Sequence, residues 1–309
     1  MEPDHAGSMM KAMETFPTAK VVGNAKTFTY MAQFFDVNLE GRKVEVKDGE
    51  SLSLGEHSLT FVCAPMVHWP EVMVAYESSE KVLFAADAFG KFGAISKYDG
   101  DWACEARRYY FNICGKYGVQ VQSLLKKAAA LDIKTIAPLH GPVLKENLGY
   151  YIDLYNTWSS YGVESEGVLV AFASIHGNTR KAAEKIASIL EKQGAKKVVV
   201  SDLSRDDEAE VIEDAFRYGR MIIAAPTYDG GLFPPMESFL SHLKSKNYQK
   251  RTVGIIENGT WAPMSGKLMK AALESMKEIK ICDTVVTIKS ALKAEQEDSL
   301  VALAKEVLA

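Results

Sequence analysis

The sequence predicts two folds in one chain, an α+β half with a mostly antiparallel sheet and then an α/β half with a doubly wound, five-stranded parallel sheet. The chain has 309 residues, which is enough for about two domains. Short strands, turns and separate helical stretches precede residue 165, whereas apolar strands and helices alternate regularly after it. The small, polar residues at 159–166 are typical of a linker.

In the first half, short apolar runs predict strands, and the stretches between them predict helices. Residues 43–47 alternate charged and apolar side chains at period two, as a half-buried antiparallel strand does. Asp48-Gly49 and Asp99-Gly100 are turn dipeptides. The predicted strands are 28–37, 42–46, 58–63, 81–86 and 134–137, and the predicted helices are 102–118 and 119–130.

In the second half, five strands alternate with five helices, which implies right-handed βαβ units around a parallel sheet. In such folds the ligand binds beyond the carboxyl ends of the strands, so the loops after the first, third and fourth strands are the candidate binding loops. The predicted strands are 167–172, 197–201, 220–225, 252–257 and 279–288. The predicted helices are 179–193, 206–218, 234–246, 264–276 and 294–308.

Composition and charge exclude several classes of function. The net charge is −4 and no long basic run occurs, so nucleic acid is not an expected partner. No apolar stretch approaches the ~18 residues of a membrane span, and the acidic N-terminus does not resemble a secretory signal. The cysteines form no C-x-x-C pair, which suits a reducing cytoplasm and excludes a rubredoxin-type iron module within this chain. We expect all of them to be buried as small apolar residues, namely Cys63, Cys104, Cys114 and Cys282.

A polar loop joins the first strand of the second half to the helix after it. It consists of Ser174, Ile175, His176, Gly177, Asn178 and Thr179. Hydroxyls stand at both ends, Gly177 lets backbone N–H groups approach an anion, and the helix presents its positive N-terminus. The loop matches neither a Walker loop nor G-x-G-x-x-G, so a single monophosphate fits better than a triphosphate or a dinucleotide. We expect His176 to be a loop residue with polar contacts.

Two further loops follow the third and fourth strands of this half. Each carries an aromatic residue, Tyr228 in one and Trp261 in the other, which could flank a flat ring, although either alone would be an ordinary loop aromatic. Together with the phosphate loop at the same sheet edge, they predict a site for FMN. The predicted FMN-binding residues are those of the phosphate loop together with Pro226, Thr227, Tyr228, Asp229, Gly230, Asn258, Gly259, Thr260 and Trp261.

The first half contains three imidazoles and three carboxylates that could bind metal ions. Three of them lie together at the start of the chain, and each of the others follows an apolar run, so the strands would bring them to one sheet edge. The donor set suits hard or borderline divalent ions, and six ligands exceed the need of one four-coordinate zinc, so two metals with a bridging carboxylate are predicted. Taken singly, they could be turn residues, a helix cap or a solvated terminus. The predicted ligands are Glu2, Asp4, His5, His68, Asp87 and His140, whereas His57 and His242 are assigned to the surface.

The order of these ligands resembles the metallo-β-lactamase-like fold, whose motif runs His-x-[His/Glu]-x-Asp-His and is followed by His, Asp and His. Glu2 stands where hydrolases of that fold, which usually bind zinc, carry His. Because residues 166–309 resemble a flavodoxin-like domain, the whole chain resembles the flavodiiron proteins, or A-type flavoproteins. The resemblance implies a metallo-β-lactamase-like αββα sandwich as a diiron domain at 1–163 and a flavodoxin-like FMN-binding domain at 164–309.

The same resemblance implies roles for the residues. One iron would be bound by Glu2 and His68 and the other by Asp4, His5 and His140, with Asp87 bridging them. A rubredoxin-like or other external donor would reduce FMN, and the non-haem diiron site would reduce O2 to water, NO to N2O, or both. A head-to-tail homodimer in the cytoplasm is the implied assembly, and no catalytic residue is expected beyond the metal ligands.

The start of the chain departs from the family pattern. The first His of the motif would precede Met1, and the strands that come before the motif are missing. We therefore expect a lactamase-like half that is truncated at its N-terminus and leaves apolar surface uncovered, as a misplaced start or a fragment would produce. A genuinely shortened protein is the other explanation, and its first iron site would be defective. The alternative function is an FMN electron-transfer protein with a defective, metal-poor lactamase-like domain. Glu2 and the flavin site argue against a third possibility, a zinc hydrolase.

Overall fold

The computed structural model describes residues 1–97 and 100–309, so the predicted turn residue Asp99 lies outside the described part of the chain. The chain forms two compact units, Met1–Ser160 and Tyr161–Ala309. Among the described residues, no helix is both long enough and apolar enough to cross a membrane. The assignment of 1–163 as a diiron domain and of 164–309 as an FMN-binding domain stays a prediction.

The first unit begins with helices and a small parallel sheet. Its first elements are α1 (Pro3–Ala6), α2 (Met9–Thr15), β1 (Val21–Gly23), α3 (Ala25–Phe34) and β2 (Lys43–Glu45). β1 and β2 pair in parallel, and α3 supplies the crossover that parallel neighbours need. The strand predicted at 42–46 exists, but its predicted antiparallel direction is wrong.

The strand predicted at 28–37 is wrong, because helix α3 occupies this segment. Its aromatic and β-branched residues favour a strand, but Asn24 caps the helix, and Asn24 Oδ1 accepts from the Thr27 N–H at 3.1 Å. Phe28 and Met31, which lie three residues apart, are both buried on one helix face. The cap and the helical spacing of two core residues therefore outweigh the local preference.

The larger sheet of the first unit has five strands in chain order. They are β3 (Ser51–Ser53), β4 (Ser58–Cys63), β5 (Met73–Glu77), β6 (Val82–Phe84) and β7 (Thr135–Ala137). The first three pairings are antiparallel and the β6–β7 pairing is parallel, so the prediction of a mostly antiparallel sheet is confirmed. β1, β3 and β5 have no counterpart among the predicted strands.

Helices and stacked aromatic rings complete the first unit. The helices are α4 (Ala103–Ile113), α5 (Gly118–Ala128) and α6 (Leu148–Ser159). Trp102 stacks on Trp158 with 5.8 Å between ring centroids, and Tyr155 stacks on Phe89 at 4.3 Å. The Tyr155 hydroxyl also accepts from the Phe89 N–H at 2.6 Å. These contacts anchor the segment that follows β6 and carries Asp87.

Glu77 organises the turn between β5 and β6. Its carboxylate accepts from the backbone N–H of Glu80 at 2.6 Å and from that of Ser79 at 2.9 Å. His57 lies at the surface with its Nδ1 3.1 Å from the same carboxylate. The hydrogen bonds, first that from Glu80, lower the pKa of Glu77 to about 2, although burial acts to raise it. The charged carboxylate therefore stabilises this turn.

All the cysteines are free thiols, and their burial differs from the prediction at one position. Cys114 and Cys282 are buried and Cys63 is partly buried, but Cys104 is exposed in the first turn of α4, so its predicted burial is wrong. Burial raises the pKa of the Cys282 thiol to about 11. A buried thiol of this kind behaves as a small apolar side chain.

The second unit is a parallel sheet between helices. Its strands are β8 (Ser165–Phe172), β9 (Val198–Asp202), β10 (Tyr218–Tyr228), β11 (Gly231–Leu232), β12 (Gln249–Asn258) and β13 (Lys277–Ile288). The five long strands run in parallel in the order β13-β12-β10-β8-β9, and the short β11 pairs antiparallel with β10. The helices are α7 (Asn178–Lys192), α8 (Glu208–Arg217), α9 (Pro234–Ser245), α10 (Ser265–Glu274) and α11 (Glu297–Leu308). The predicted five-stranded parallel sheet is confirmed.

The core of the second unit lies between this sheet and helices such as α7 and α11. Ile186 and Leu190 of α7, Leu303 of α11, and Val170 of β8 are fully buried there. Since β8, β10 and β12 are parallel, their carboxyl ends open at one edge of the sheet. The loops that leave these three strands therefore lie together.

Candidate functional site

The predicted metal ligands come from separate elements of the first unit. Glu2 precedes α1, Asp4 and His5 lie in α1, His68 lies between β4 and β5, Asp87 follows β6, and His140 follows β7. The structure brings all of them into one cluster. Asp87 is at its centre and is 3% exposed.

One side of the cluster is formed by His5, His140 and Asp4. The Nε2 atoms of the two histidines are 2.9 Å apart. Asp4 Oδ2 lies 3.3 Å from His5 Nε2 and 3.1 Å from His140 Nε2. Asp87 Oδ1 is 3.2 Å from His5 Nε2 and 3.4 Å from His140 Nε2. Four potential ligand atoms therefore face one small volume.

The other side of the cluster is formed by Glu2 and His68. His68 Nε2 lies 2.8 Å from Glu2 Oε2 and 3.6 Å from Asp87 Oδ2. The two oxygens of Asp87 thus face different groups of ligand atoms. His5 contributes to both sides of the cluster. One ligand atom from each of His5, Glu2 and Asp87 lies within 4.8 Å of the other two.

The geometry fits metal ions. Ligand atoms bonded at about 2.0–2.2 Å to one metal lie about 3 Å apart when they are at right angles, which is the spacing seen on both sides of Asp87. A buried carboxylate costs free energy unless a cation or hydrogen bonds compensate it. Imidazoles combined with carboxylates suit iron and other borderline divalent ions. The cluster can therefore hold two ions with Asp87 between them.

Tyr109 of α4 also belongs to this site, although it was absent from the predicted residues. Its hydroxyl donates to Asp87 Oδ1 at 2.9 Å. Burial, followed by the negative charge of Asp87, raises the pKa of Tyr109 well above its ordinary value, so the hydroxyl remains a donor. A buried tyrosine on a helix is normally a core residue, and no sequence signal distinguishes this one.

A cavity of about 560 Å³ opens at the carboxyl edge of the parallel sheet in the second unit. The loops after β8, β10 and β12 line it with all the predicted cofactor residues except Gly177. Ser290, from the loop after β13, lines it as well and was not predicted. In the sequence, only the loops after the first, third and fourth strands have a recognisable motif. The loop after the fifth strand, β13, has none, so Ser290 could not be predicted as part of the site.

Gly177 and Ser174 shape the backbone of the phosphate loop. Gly177 adopts a left-handed backbone with φ of +82° immediately before α7, and its N–H donates to Ser174 Oγ at 3.0 Å. Thr179 in the first turn of α7 is 2% exposed, whereas His176 is an exposed loop residue. The N-terminus of this helix favours an anion.

The rim of the cavity carries exposed aromatic side chains. Trp261 is 91% exposed and Tyr228 is 44% exposed. Exposed rings of this size beside a cavity are well suited to cover a flat, partly apolar ligand. Thr227 has a different role, because its Oγ1 accepts from the backbone N–H groups of Met264 and Ser265 at 2.8 and 3.1 Å and so caps helix α10.

The two units match two different family models. Residues 1–141 match the ODP family beta lactamases, and residues 169–287 match the flavodoxin domain. A curated relative over the whole chain is the nitric oxide reductase of Moorella thermoacetica, which is 28% identical over 317 residues and is covered to 78% of its length. The coenzyme F420H2 oxidase of Methanothermobacter marburgensis is 28% identical over 260 residues, which are 81% of this chain and 64% of that relative.

Solved structures share the fold. The flavodiiron protein of Giardia intestinalis has a TM-score of 0.88 at 22% identity, over 95% of this chain and 74% of that chain. The chain spans 45% to 78% of the length of curated relatives that it matches. The predicted fold class, a lactamase-like domain followed by a flavodoxin-like domain, is confirmed. One polypeptide therefore combines a match to the ODP family beta lactamases with a match to the flavodoxin domain.

Proposed function

We propose that this protein is an oxidoreductase that uses FMN and a non-haem diiron site to reduce O2 to water, NO to N2O, or both. The observation that carries the proposal is the position of Asp87, whose two oxygens face two groups of imidazole and carboxylate atoms. The names of the relatives, a nitric oxide reductase and a coenzyme F420H2 oxidase, support both substrates. The flavin supplies two-electron acceptance with one-electron release, and the irons supply the one-electron chemistry that these gases require.

The first unit holds the metals through its own side chains. Glu2 and His68 would hold one iron, Asp4, His5 and His140 would hold the other, and Asp87 would be shared by both. The carboxylates offset the positive charge of two ions and favour their oxidised states. The Tyr109 hydroxyl fixes the orientation of Asp87 through its hydrogen bond to Oδ1.

The second unit binds FMN at the edge of its parallel sheet. The N-terminus of α7, with its backbone N–H groups and the hydroxyls of Ser174 and Thr179, would hold the phosphate. Tyr228 and Trp261 would hold the flat ring, and their exposure at the rim of the cavity suits this role. All the predicted residues of the three loops contribute to this site. Gly177 provides the turn of the phosphate loop and does not line the cavity.

The donor, the assembly and the location complete the proposal. A rubredoxin-like or other external protein supplies the electrons. The protein works as a head-to-tail homodimer. A reducing cytoplasm is its location, in keeping with four free thiols. The rival function, an FMN electron-transfer protein with a metal-poor first unit, is disfavoured by the convergence of His5, His68 and His140 on one buried carboxylate.

Metal and flavin analysis after anaerobic reconstitution tests the proposal. The wild-type protein should retain about two iron ions and about one FMN per chain. His140→Asn should lose iron and keep FMN, whereas His57→Asn, a surface control, should keep both. FMN without iron in the wild type would favour the electron carrier, and retained zinc would favour a hydrolase. Reoxidation of the reduced protein by O2 and by NO, in separate anaerobic mixes, then identifies the substrate.

A further inference from the structure

The side chain of Asn258, the last residue of β12, forms hydrogen bonds with other residues of the protein. It is 6% exposed. Its Nδ2 donates to the carbonyl of Ser290 at 2.9 Å and to Thr179 Oγ1 at 3.4 Å, and its Oδ1 accepts from the Ser290 N–H at 3.1 Å. The Ser290 N–H fixes which of the two terminal atoms is the oxygen, and both Nδ2 hydrogens then have acceptors.

These bonds join loops from opposite sides of the cavity. Ser290 follows β13, which pairs with β12, whereas Thr179 follows β8, which lies beyond β10 in the sheet. Ser290 has a φ of +72°, a left-handed conformation that a side chain disfavours, so its neighbours must hold it there. Asn258 does so through two bonds, and the Thr260 hydroxyl adds a third to the Ser290 hydroxyl at 2.8 Å.

The direction of the bond to Thr179 has a chemical consequence. Because Asn258 donates to Thr179 Oγ1, the threonine oxygen is the acceptor, and its own proton must point elsewhere. Thr179 stands in the first turn of α7 and lines the cavity at the phosphate loop. Its O–H is therefore available to donate to an anion at the helix N-terminus.

We propose that Asn258 is a positioning residue that orients the Thr179 hydroxyl toward the cofactor phosphate and holds the Ser290 loop, without touching the ring through its side chain. This inference rests on the proposed binding of FMN. It assigns Asn258 a share of the affinity that depends on the phosphate. The Ser290 loop contributes to binding of the flavin's ring and chain, and this contribution is the same whether or not a phosphate is present.

The affinity of apoprotein for FMN, divided by its affinity for riboflavin, separates these contributions, because riboflavin is the same molecule without the phosphate. A hydrogen bond to a charged group is worth about tenfold or more in affinity. Thr179→Val should therefore lower the preference for FMN by about tenfold. Asn258→Ala should lower it by a smaller factor, because the Thr179 hydroxyl remains and loses only its orientation. The double variant should lower it no further than Thr179→Val, because the two residues act as one unit. Thr179→Ser, which keeps the hydroxyl, should retain the wild-type preference.

Each other outcome has a definite meaning. A wild-type protein that binds neither flavin would overturn the proposed function and this inference with it. Wild-type binding with an unchanged preference in Asn258→Ala, or an additive loss in the double variant, would overturn the inference alone. If Asn258→Ala does not fold, Asn258→Asp is tested instead. A carboxylate cannot donate a hydrogen bond, so it would accept the Thr179 proton and turn that proton away from the phosphate. A preserved preference in that variant would equally overturn the inference.

Discussion

Replacing Arg251 by methionine is expected to destabilise the second unit strongly. Arg251 lies in β12 and is 2% exposed. Its guanidinium has five N–H groups and six backbone carbonyls within hydrogen-bond distance at 2.6 to 3.2 Å, so one N–H of Nη1 is shared between two carbonyls. The six carbonyls belong to Tyr161, Gly162, Phe216, Tyr218, Gln249 and Lys250. One side chain thus ties the first residues of the unit to the amino ends of two central strands.

The expected cost follows from these contacts. Each hydrogen bond from a charged donor contributes about 1.5–3 kcal/mol, but the contributions of one side chain do not add. Methionine fills much of the volume and leaves buried carbonyls without a donor, some of which water will reach. We therefore expect a loss of about 3–5 kcal/mol in the free energy of unfolding, or roughly 10 °C in the melting temperature of this unit.

Hydrogen exchange followed by mass spectrometry measures this loss in the second unit separately from the first. Peptides from β10 and β12 should lose most of their protection in Arg251→Met. Arg205→Met is the matched control, because this arginine's side chain is 75% exposed and lies only 3.6 Å from one carboxylate, that of Asp202. It should change the free energy by less than about 0.5 kcal/mol. Equal protection in the two variants would refute the reasoning.

Three further predictions concern the turn, the core and the metal site. The pKa of Glu77 is lowered from 4.5 to about 2 by N–H groups of its own turn, so its stabilising effect is complete above pH 4.5 and is lost as the pH falls to 2. Over this pH interval, the free energy of unfolding measured in urea should fall more steeply with decreasing pH in the wild type than in Glu77→Gln. Parallel curves of this free energy against pH would contradict the prediction. Gly254→Ala should lower the free energy of unfolding by about 1–3 kcal/mol, because its Cβ would lie 2.9 Å from Leu303. Thermal melting measures this loss, and an unchanged melting temperature would contradict it. Tyr109→Phe should keep the fold but release iron faster to a chelator, since Asp87 loses its donor, and equal release rates would count against that role.

The second unit was predictable from sequence because its elements are long and regular. Strands such as β8 and helices such as α7 have one dominant period, so the observed boundaries differ from the predicted ones by only a few residues. β10 is longer than its predicted range of 220–225 because pairing with β8, β12 and the short β11 extends it to Tyr218–Tyr228. The alternation of strands and helices then determines where the binding loops meet.

The first unit was less predictable because many of its elements are short. β1 and β3 have three residues each, too few to display a period. In the segment of α3 the residue preferences favoured a strand, and only the Asn24 cap and the burial of Phe28 and Met31 decide for a helix. The parallel pairing of β2 depends on that helix. One wrong element therefore made a neighbouring pairing wrong.

Site residues were predictable where chemistry and position coincide. His68, Asp87 and His140 follow apolar runs and are polar, so the fold brings them together. Tyr109 and Ser290 could not be identified, because a helical aromatic and a loop serine are common and their roles depend on tertiary hydrogen bonds. The bonding of Asn258 to two loops is likewise visible only in three dimensions.

The central claim is that Asp87 lies between two metal ions. Anomalous diffraction at the iron edge from crystals of the iron-loaded protein tests it most directly. We predict two peaks, one near Asp87 Oδ1 beside His5 and His140, and one near Oδ2 beside His68. A single peak, or iron bound away from this carboxylate, would contradict the account.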